Sequence, residues 1–292
     1  MTGRTSEIVK AFGAVQAEMR RGLGSLDVGA FSEVRAGKVK RDLIASIDAL
    51  SVYAARWATR AVKARYRDAQ GKARNRLEMI GAKRDRRFDR RRHARAIEQL
   101  GDATLKDYMK ATAAMKVLVG QYIEGLRRHS ASVAQVQEFR PESAFGAVGD
   151  EFIGSLVANA IAKNKSRGTV SRAIMDWLKR NLADGNYIQI GTRMYNVRDY
   201  SELVARTRMI EASTEATKEE CREYDNDLVV FSTHSNPCEE CADLEGQVFS
   251  ISGESTEYPM LTDDVTPPIH PNCGHNIAPT SEIAMAYVRR RG

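Results

Sequence analysis

The sequence predicts an α+β protein in which a long, basic, mainly helical N-terminal region precedes a small α+β domain with a structural zinc site. All seven prolines lie at position 141 or later, so the first 140 residues lack the residue that most disrupts helices. Short β-branched and aromatic runs, typical of strands, follow in the last third of the chain. Three of the four cysteines and two of the five histidines lie between positions 238 and 275.

Two apolar stripes with helical spacing run through residues 1–140, the predicted N-terminal region. The first consists of Leu43, Ile47, Leu50, Ala54 and Trp57, and the second runs from Leu100 to Tyr122. Side chains that recur every three or four residues share one face of a helix, which indicates that these faces are buried. Glycines at positions 22, 24 and 29 indicate a break near the start of the region.

A strongly basic segment lies between the two stripes. Residues 83–95 contain two aspartates and eight basic residues: Lys83, Arg84, Arg86, Arg87, Arg90, Arg91, Arg92 and Arg95. One interpretation is a solvated helix face. The other is contact with the phosphates of nucleic acid or with an acidic partner, because arginine binds phosphate independently of sequence. Phe88 is the one aromatic residue in the segment, so stacking on single strands has little support.

Residues 141–280 form the predicted α+β domain that contains the Cys/His cluster, and residues 281–292 form a basic tail. The expected order is a linker at 135–149, helices at 150–164, 169–182 and 200–224, strands at 187–190, 228–233 and 247–253, and a proline-rich loop at 259–271. The strand at 228–233 leads directly into the first cysteine pair. On the helix before it, Arg208 is expected either to form a salt bridge with Glu211 or to fix the helix to the zinc loop.

Four of the clustered Cys and His residues have the spacing of two metal-binding pairs. Cys238 and Cys241 form a CxxC pair, and His270 and Cys273 form a second pair after a spacer of 28 residues. Structural zinc sites use four such sulfur and nitrogen ligands in a tetrahedron. We therefore predict one zinc bound by these four residues, with His275 and His234 as reserve ligands.

The cysteines also allow other interpretations. No secretory signal is evident at the start of the sequence, and a CxxC pair in a cytosolic protein more often binds metal or acts in redox chemistry than forms a structural disulfide. The CxxC pair follows a proline, as in zinc deaminases, but no histidine is followed by x-Glu, and HExxH is absent. The expectation is therefore a protein without catalytic residues, and a zinc-dependent enzyme is the weakest alternative. Cys221 is expected to be a small core residue.

Charge is distributed unevenly along the chain. Residues 1–100 contain 24 Lys and Arg against 11 Asp and Glu, whereas residues 101–292 contain 21 against 27. A basic region of this kind favours an anionic partner, either nucleic acid or an acidic protein surface. No apolar run approaches the length of a membrane span.

Four segments in order resemble phage minor capsid proteins related to the Mu F-like head-morphogenesis proteins. These segments are VARTRMIEAS at 204–213, DLVVFSTHS at 227–235, CADLEGQVFSISG at 241–253 after Cys238, and HPNCGH at 270–275. The resemblance extends over residues 185–280. Relatives vary at the cysteine positions, so the zinc prediction depends on the residues themselves.

The resemblance implies a virion component present in few copies and without catalytic residues. It implies association with the portal protein and other head proteins inside the head, and a role in head assembly and in DNA packaging or ejection. Packaged DNA would then be a further partner, and the host cytoplasm would be the site of assembly. The alternative is a zinc-stabilised nucleic-acid-binding module outside a virion.

Overall fold

Three helices account for most of the N-terminal part of the chain. The computed structural model describes residues 3–135, 187–271 and 273–282, together with positions 169, 172, 173, 175 and 176. Helix α1 spans Gly3–Gly24, α2 spans Glu33–Met79 and α3 spans Arg91–Gln135. The predicted helical region is confirmed, and its first break falls among the glycines that indicated it.

The two predicted apolar stripes are mostly buried. Ala54 and Ile47 are fully buried on α2, and Trp57 is 1% exposed. On α3, Tyr108, Met115 and Tyr122 are likewise fully buried. Burial of one apolar stripe per helix is what stabilises helices of this length in a globular protein.

The strands in the described C-terminal part form two small sheets. Strands β1 (Tyr187–Ile190) and β2 (Arg193–Asn196) pair as an antiparallel hairpin. Gly191 in the connecting turn has φ +61°, which suits the tight turns favoured in hairpins. Helix α4 (Val197–Glu223) follows directly.

A three-stranded antiparallel sheet has the order β4–β3–β5. Strand β3 spans Leu228–Phe231, β4 spans Val248–Ser250 and β5 spans Ile277–Pro279. A short helix, α5 (Glu239–Ala242), lies between β3 and β4, and a 3₁₀ turn covers Asp263–Val265. The predicted α+β class is confirmed. Strands β2 and β5 were not predicted, since each is short and β5 ends in proline.

The chain divides into two compact units. The first consists of Met1–Ile8, Ala54–Tyr108 and Glu202–Gly292, and the second of Val9–Tyr53 and Met109–Ser201. In the first unit the sheet packs around Val229, Phe231, Phe249 and Ile277, and Leu77 of α2 belongs to the same buried cluster. The end of α2 and the sheet therefore share one core.

The second unit has its own buried residues. Phe12, Met19 and Leu23 of α1 are fully buried, as is Ile47 of α2. Ser46 donates a hydrogen bond to Glu18 at 2.8 Å within this unit.

Several predicted features lie outside the described residues. These are most of the linker at 135–149, the helix at 150–164, most of the helix at 169–182 and most of the basic tail. The division at residues 140 and 280 falls in or beside these stretches and stays a prediction. No helix in the described part of the chain is long and apolar enough to cross a membrane.

Candidate metal centre and basic segment

The first pair of candidate ligands lies at the start of α5. The carbonyl of Cys238 accepts hydrogen bonds from the backbone N–H groups of Cys241 at 3.1 Å and Ala242 at 2.9 Å. This tight turn holds the two thiols on one side of the chain. Cys238 is exposed, whereas Cys241 is fully buried.

The second pair closes against the first. A turn in which Cys273 N–H donates to the His270 carbonyl at 3.0 Å keeps these two residues together. The Nε2 atom of His270 lies 3.0 Å from the sulfur of Cys238 and 3.3 Å from the sulfur of Cys241. The donor atoms of these three residues lie within 4.8 Å of one another.

A second group of donors shares Cys241. The donor atoms of Cys241, Cys273 and His275 also lie within 4.8 Å of one another, and all three residues are buried. The Nδ1 atom of His275 is 3.9 Å from the sulfur of Cys273. The two groups share the Cys241 sulfur, and between them they include the four predicted ligands and one of the two reserve ligands.

The other reserve ligand, His234, takes a supporting position. Its ring meets that of His275 edge-on at 4.3 Å, and its Nε2 atom is 3.3 Å from the Ser232 hydroxyl. Its backbone N–H donates to Glu245 at 2.7 Å. Among the described residues, His234 belongs to neither group of donors.

Both clustered histidines have one ring nitrogen held by an oxygen acceptor. His270 Nδ1 lies 2.8 Å from the Pro271 carbonyl, and His275 Nε2 lies 2.8 Å from a Glu245 carboxylate oxygen. When each of these nitrogens carries the proton, the nitrogen facing the thiols presents a lone pair. Histidines that ligate metals usually have this arrangement, because the outer hydrogen bond fixes the tautomer and ring orientation.

The thiols differ in their readiness to ionise. Hydrogen bonding from Cys241 lowers the pKa of the Cys238 thiol. Burial, and then the neighbouring thiols of Cys238 and Cys273, raise the pKa of Cys241 to about 12. A bound divalent cation would lower the pKa of Cys241 again, because a thiol that coordinates a metal loses its proton.

The donor set fits zinc. Zinc takes thiolate sulfur and imidazole nitrogen, and the two groups, which share the Cys241 sulfur, together offer three sulfurs and two nitrogens. A tetrahedral ion needs four of the five. The cluster joins the segment after β3 to the segment before β5, so an ion here would tie together two stretches that are distant in sequence.

The basic segment forms most of the α2–α3 connection and the start of α3. The carboxylate of Asp89 accepts a hydrogen bond from Arg91 N–H at 3.0 Å and caps α3. Asp85 accepts from Arg87 N–H at 2.8 Å in the preceding turn, and its own N–H donates to the Glu223 carbonyl at 2.7 Å. The expected continuous helix face is therefore replaced by an ordered turn and a helix start.

Three buried glutamates on α4 face this segment. Glu219, Glu220 and Glu223 are at most 4% exposed. Arg92 makes two hydrogen bonds to Glu219, at 2.6 and 2.9 Å, and Arg84 binds Glu223. Arg84 and Arg92, which were predicted to contact a partner, therefore pair with acidic side chains of the protein itself.

The pKa values follow from these pairs. Burial opposes ionisation of both Glu219 and Glu223. Hydrogen bonds from Arg92 to Glu219, and from His93 and Arg84 to Glu223, outweigh it and hold both carboxyl pKa values below their ordinary range. The same bond raises the pKa of Arg92. All three groups are charged near neutral pH.

His93, Glu220 and Glu223 form a third group of converging donors. His93 Nε2 lies 3.1 Å from Glu223 and 3.6 Å from Glu220 Oε2, which accepts no hydrogen bond. Arg74 binds the other oxygen of Glu220 at 2.7 Å. Since arginines already neutralise both carboxylates, this arrangement is an ion-pair network and is unfavourable for a cation.

Comparison with known proteins identifies the family. A family model described as Phage minor capsid protein 2 matches residues 36–282. The chain belongs to this family of phage minor capsid proteins. The comparisons with curated proteins and with solved structures gave no match.

The family match extends beyond the sequence resemblance at 185–280. It begins in α2 and therefore includes the long helices, the basic segment and the Cys/His cluster of this minor capsid protein. A general role in phage head morphogenesis, among other head proteins, follows from membership in the family.

Two features of the site were not predicted. The buried glutamates of α4 were overlooked, although their spacing at 219, 220 and 223 places them on one side of a helix. Arg208 was expected to form a salt bridge or to reach the zinc loop. It forms the salt bridge with Glu211 at 2.6 Å and binds Asp107 of α3 at 2.6 Å, so the link to the zinc loop was wrong.

Proposed function

We propose that this minor capsid protein lies inside the phage head, associates with the portal protein, and acts in head assembly and in DNA packaging or ejection. The family match over residues 36–282 carries this proposal. Assembly takes place in the host cytoplasm, and the mature location is the virion interior. The protein has a structural role without catalytic residues.

The test combines purified particles with the isolated portal. Procapsids and virions from a phage that encodes this chain are analysed by mass spectrometry, and the chain is co-expressed with the portal protein and purified by a tag on the portal. Presence in particles and co-purification at fixed stoichiometry are expected. Absence from both kinds of particle would overturn the proposal and favour a nucleic-acid-binding module outside the virion.

We also propose that the Cys/His cluster is a structural zinc centre. Cys238, Cys241, His270 and Cys273 hold the ion, and His275, whose donor atom groups with those of Cys241 and Cys273, is the reserve ligand. The convergence of these donors around the Cys241 sulfur supports this assignment. Zinc here has a structural role and stabilises the fold around β3 and β5.

Metal content decides the zinc proposal. Protein purified without added zinc should contain about one zinc per chain, and Cys241→Ser should lose it, because the Cys241 sulfur belongs to both donor groups. Cys221→Ala is the matched control, since Cys221 is also a fully buried thiol but lies in the hydrophobic core. A parent protein without metal, with its thiols at 238, 241 and 273 freely reactive, would contradict the proposal.

A further inference from the structure

The basic residues of the segment fall into two sets of four: the inward set pairs with acidic side chains of the described residues, and the outward set does not. Arg84 and Arg92 bind the buried glutamates of α4, Arg90 approaches Glu223 at 3.4 Å, and Arg95 binds Asp89. The four remaining basic side chains are exposed and form no ion pair with the described residues: Lys83, Arg86, Arg87 and Arg91. We call these four residues the outward set.

The backbone that carries the outward set is anchored. The Asp85 N–H donates to the Glu223 carbonyl, and the Asp89 carboxylate accepts a hydrogen bond from the Arg91 N–H at the start of α3. Phe88 is half-buried, with its ring 5.6 Å from that of His93 and 5.9 Å from the Arg92 guanidinium carbon. The inward set and Phe88 therefore fix the turn, and the outward set projects from an ordered support.

We propose that the outward set binds the phosphate backbone of duplex DNA. This inference rests on the proposed function, since a protein inside the head meets packaged DNA. Four positive charges lie within nine consecutive residues, and Asp85 is the one exposed acidic residue among them whose carboxylate takes part in no ion pair within the described structure. Arginine contacts to phosphate need no base sequence and draw their free energy from released counterions.

The surface favours duplex DNA over the other anionic partners. Single-stranded nucleic acid is bound through exposed aromatic rings, whereas Phe88 is turned against His93 and Arg92. Protein interfaces depend on apolar anchors at their centre. Met79, at the end of α2, is the one large apolar side chain close in sequence that the described structure leaves strongly exposed. A charged surface with few anchors suits a uniform array of phosphates.

The test compares two triple variants of the full-length protein with equal loss of charge. Arg86→Gln, Arg87→Gln and Arg91→Gln remove most of the outward set. Arg56→Gln, Lys63→Gln and Arg67→Gln remove three exposed positive charges from α2 as the matched control. Both should fold with the melting temperature of the parent, because none of the six side chains forms an ion pair within the described structure.

Binding of duplex DNA of random sequence is measured by fluorescence anisotropy over a series of salt concentrations. Loss of three phosphate contacts should make the slope of log affinity against log salt shallower by about 2.7, since each contact contributes about 0.9. Affinity at low salt should fall at least about tenfold, whereas the control should retain the parent slope and most of the parent affinity.

Three outcomes would overturn the inference. They are equal slopes for the two triple variants, a parent that binds no duplex, and a parent that binds polyglutamate more tightly than duplex DNA, which would assign the surface to an acidic protein. The particle test keeps this result separate from the proposed function. A chain present in virions that binds no duplex defeats this inference alone, whereas a chain that binds duplex but is absent from particles defeats the head role.

Discussion

Cys241 occupies the most constrained position in the Cys/His cluster. It is fully buried, belongs to both groups of donors, and has a thiol pKa raised to about 12 by burial and by its two neighbouring thiols. A neutral thiol at this position has only weak hydrogen-bonding capacity to offer. A cation bound among these sulfurs would explain their crowding, because coordinating thiols lose their protons.

A substitution of His275 tests whether this residue contributes to metal binding by the cluster. We predict that His275→Ala lowers zinc affinity by about tenfold, because the His275 ring, held by Glu245, lies beside the Cys273 sulfur, and residues that surround metal ligands affect affinity to this extent. His234→Ala is the matched control, since its ring touches His275 but lies outside the donor groups. Competition with a chromogenic chelator measures both affinities, and an equal loss in the two variants would contradict a specific role of His275 at the metal.

The adjacent residues Arg91 and Arg92 differ in whether their charge is paired within the protein. Arg92 binds the buried carboxylate of Glu219, whereas Arg91 forms no ion pair in the described structure. We predict that Arg92→Gln lowers the free energy of unfolding by about 1–3 kcal/mol, because a buried charge loses its partner while the partly exposed guanidinium limits the effect.

The control for this prediction is Arg91→Gln, which should change stability by no more than about 0.5 kcal/mol. Denaturant unfolding followed by circular dichroism measures both variants. Equal stability of the two variants would show that the pair with Glu219 contributes nothing net.

Helix α4 shows what the sequence could predict and what it could not. Its start and end were predicted within three residues at the N-terminus and one at the C-terminus, because its apolar and charged residues alternate with helical spacing. Its buried face was not predicted. Glu219, Glu220 and Glu223 are buried only because Arg74, Arg84 and Arg92 reach them, and those partners lie more than a hundred positions earlier in the chain. Sequence periodicity carries no information about such distant pairs.

The α4 carboxylates also predict how stability depends on pH. Glu219 and Glu223 have pKa values in the folded state below the ordinary value of 4.5. Their contribution is therefore complete above that pH and is lost as the pH falls through the lower folded-state values. We predict that the melting temperature falls steeply below about pH 4.5, and that Glu219→Gln with Glu223→Gln flattens this fall while lowering stability near neutral pH.

Thermal unfolding from about pH 7 down to about pH 3 measures this dependence. The matched control is Glu98→Gln with Glu254→Gln, which removes two exposed carboxylates. An acid dependence that is the same in both double variants would mean that other carboxyl groups govern acid unfolding.

At the scale of the whole molecule, the sequence predicted the kinds of element better than their grouping. The absence of proline indicated long helices, and the CxxC and HPNC spacings indicated which residues converge. Neither pattern showed that Leu77, near the end of α2, shares a buried cluster with Phe231 and Ile277 of the sheet. Tertiary packing decides such groupings, and a single helix can contribute to two cores when it is as long as α2.

This shared core predicts the consequence of metal removal. The cluster links the loop after β3 to the loop before β5, where the Ser232 N–H also donates to the Asn276 carbonyl at 2.9 Å. We predict that chelation increases amide hydrogen exchange in β3, β5 and the end of α2 around Leu77, because loosening the sheet uncovers the cluster in which Leu77 is buried. Residues 33–53 belong to the other compact unit, with its own buried side chains, and should keep their protection.

Hydrogen exchange measured by mass spectrometry, with and without a zinc chelator, distinguishes these regions within one protein. Cys241→Ser without chelator should reproduce the pattern of the chelated parent, which excludes a direct effect of the chelator. Protection lost only in the loops at 232–247 and 270–276 would mean that the sheet holds without metal through its apolar contacts. An equal loss in residues 33–53 would mean that the two units unfold together, and the metal would then stabilise the whole chain rather than one core.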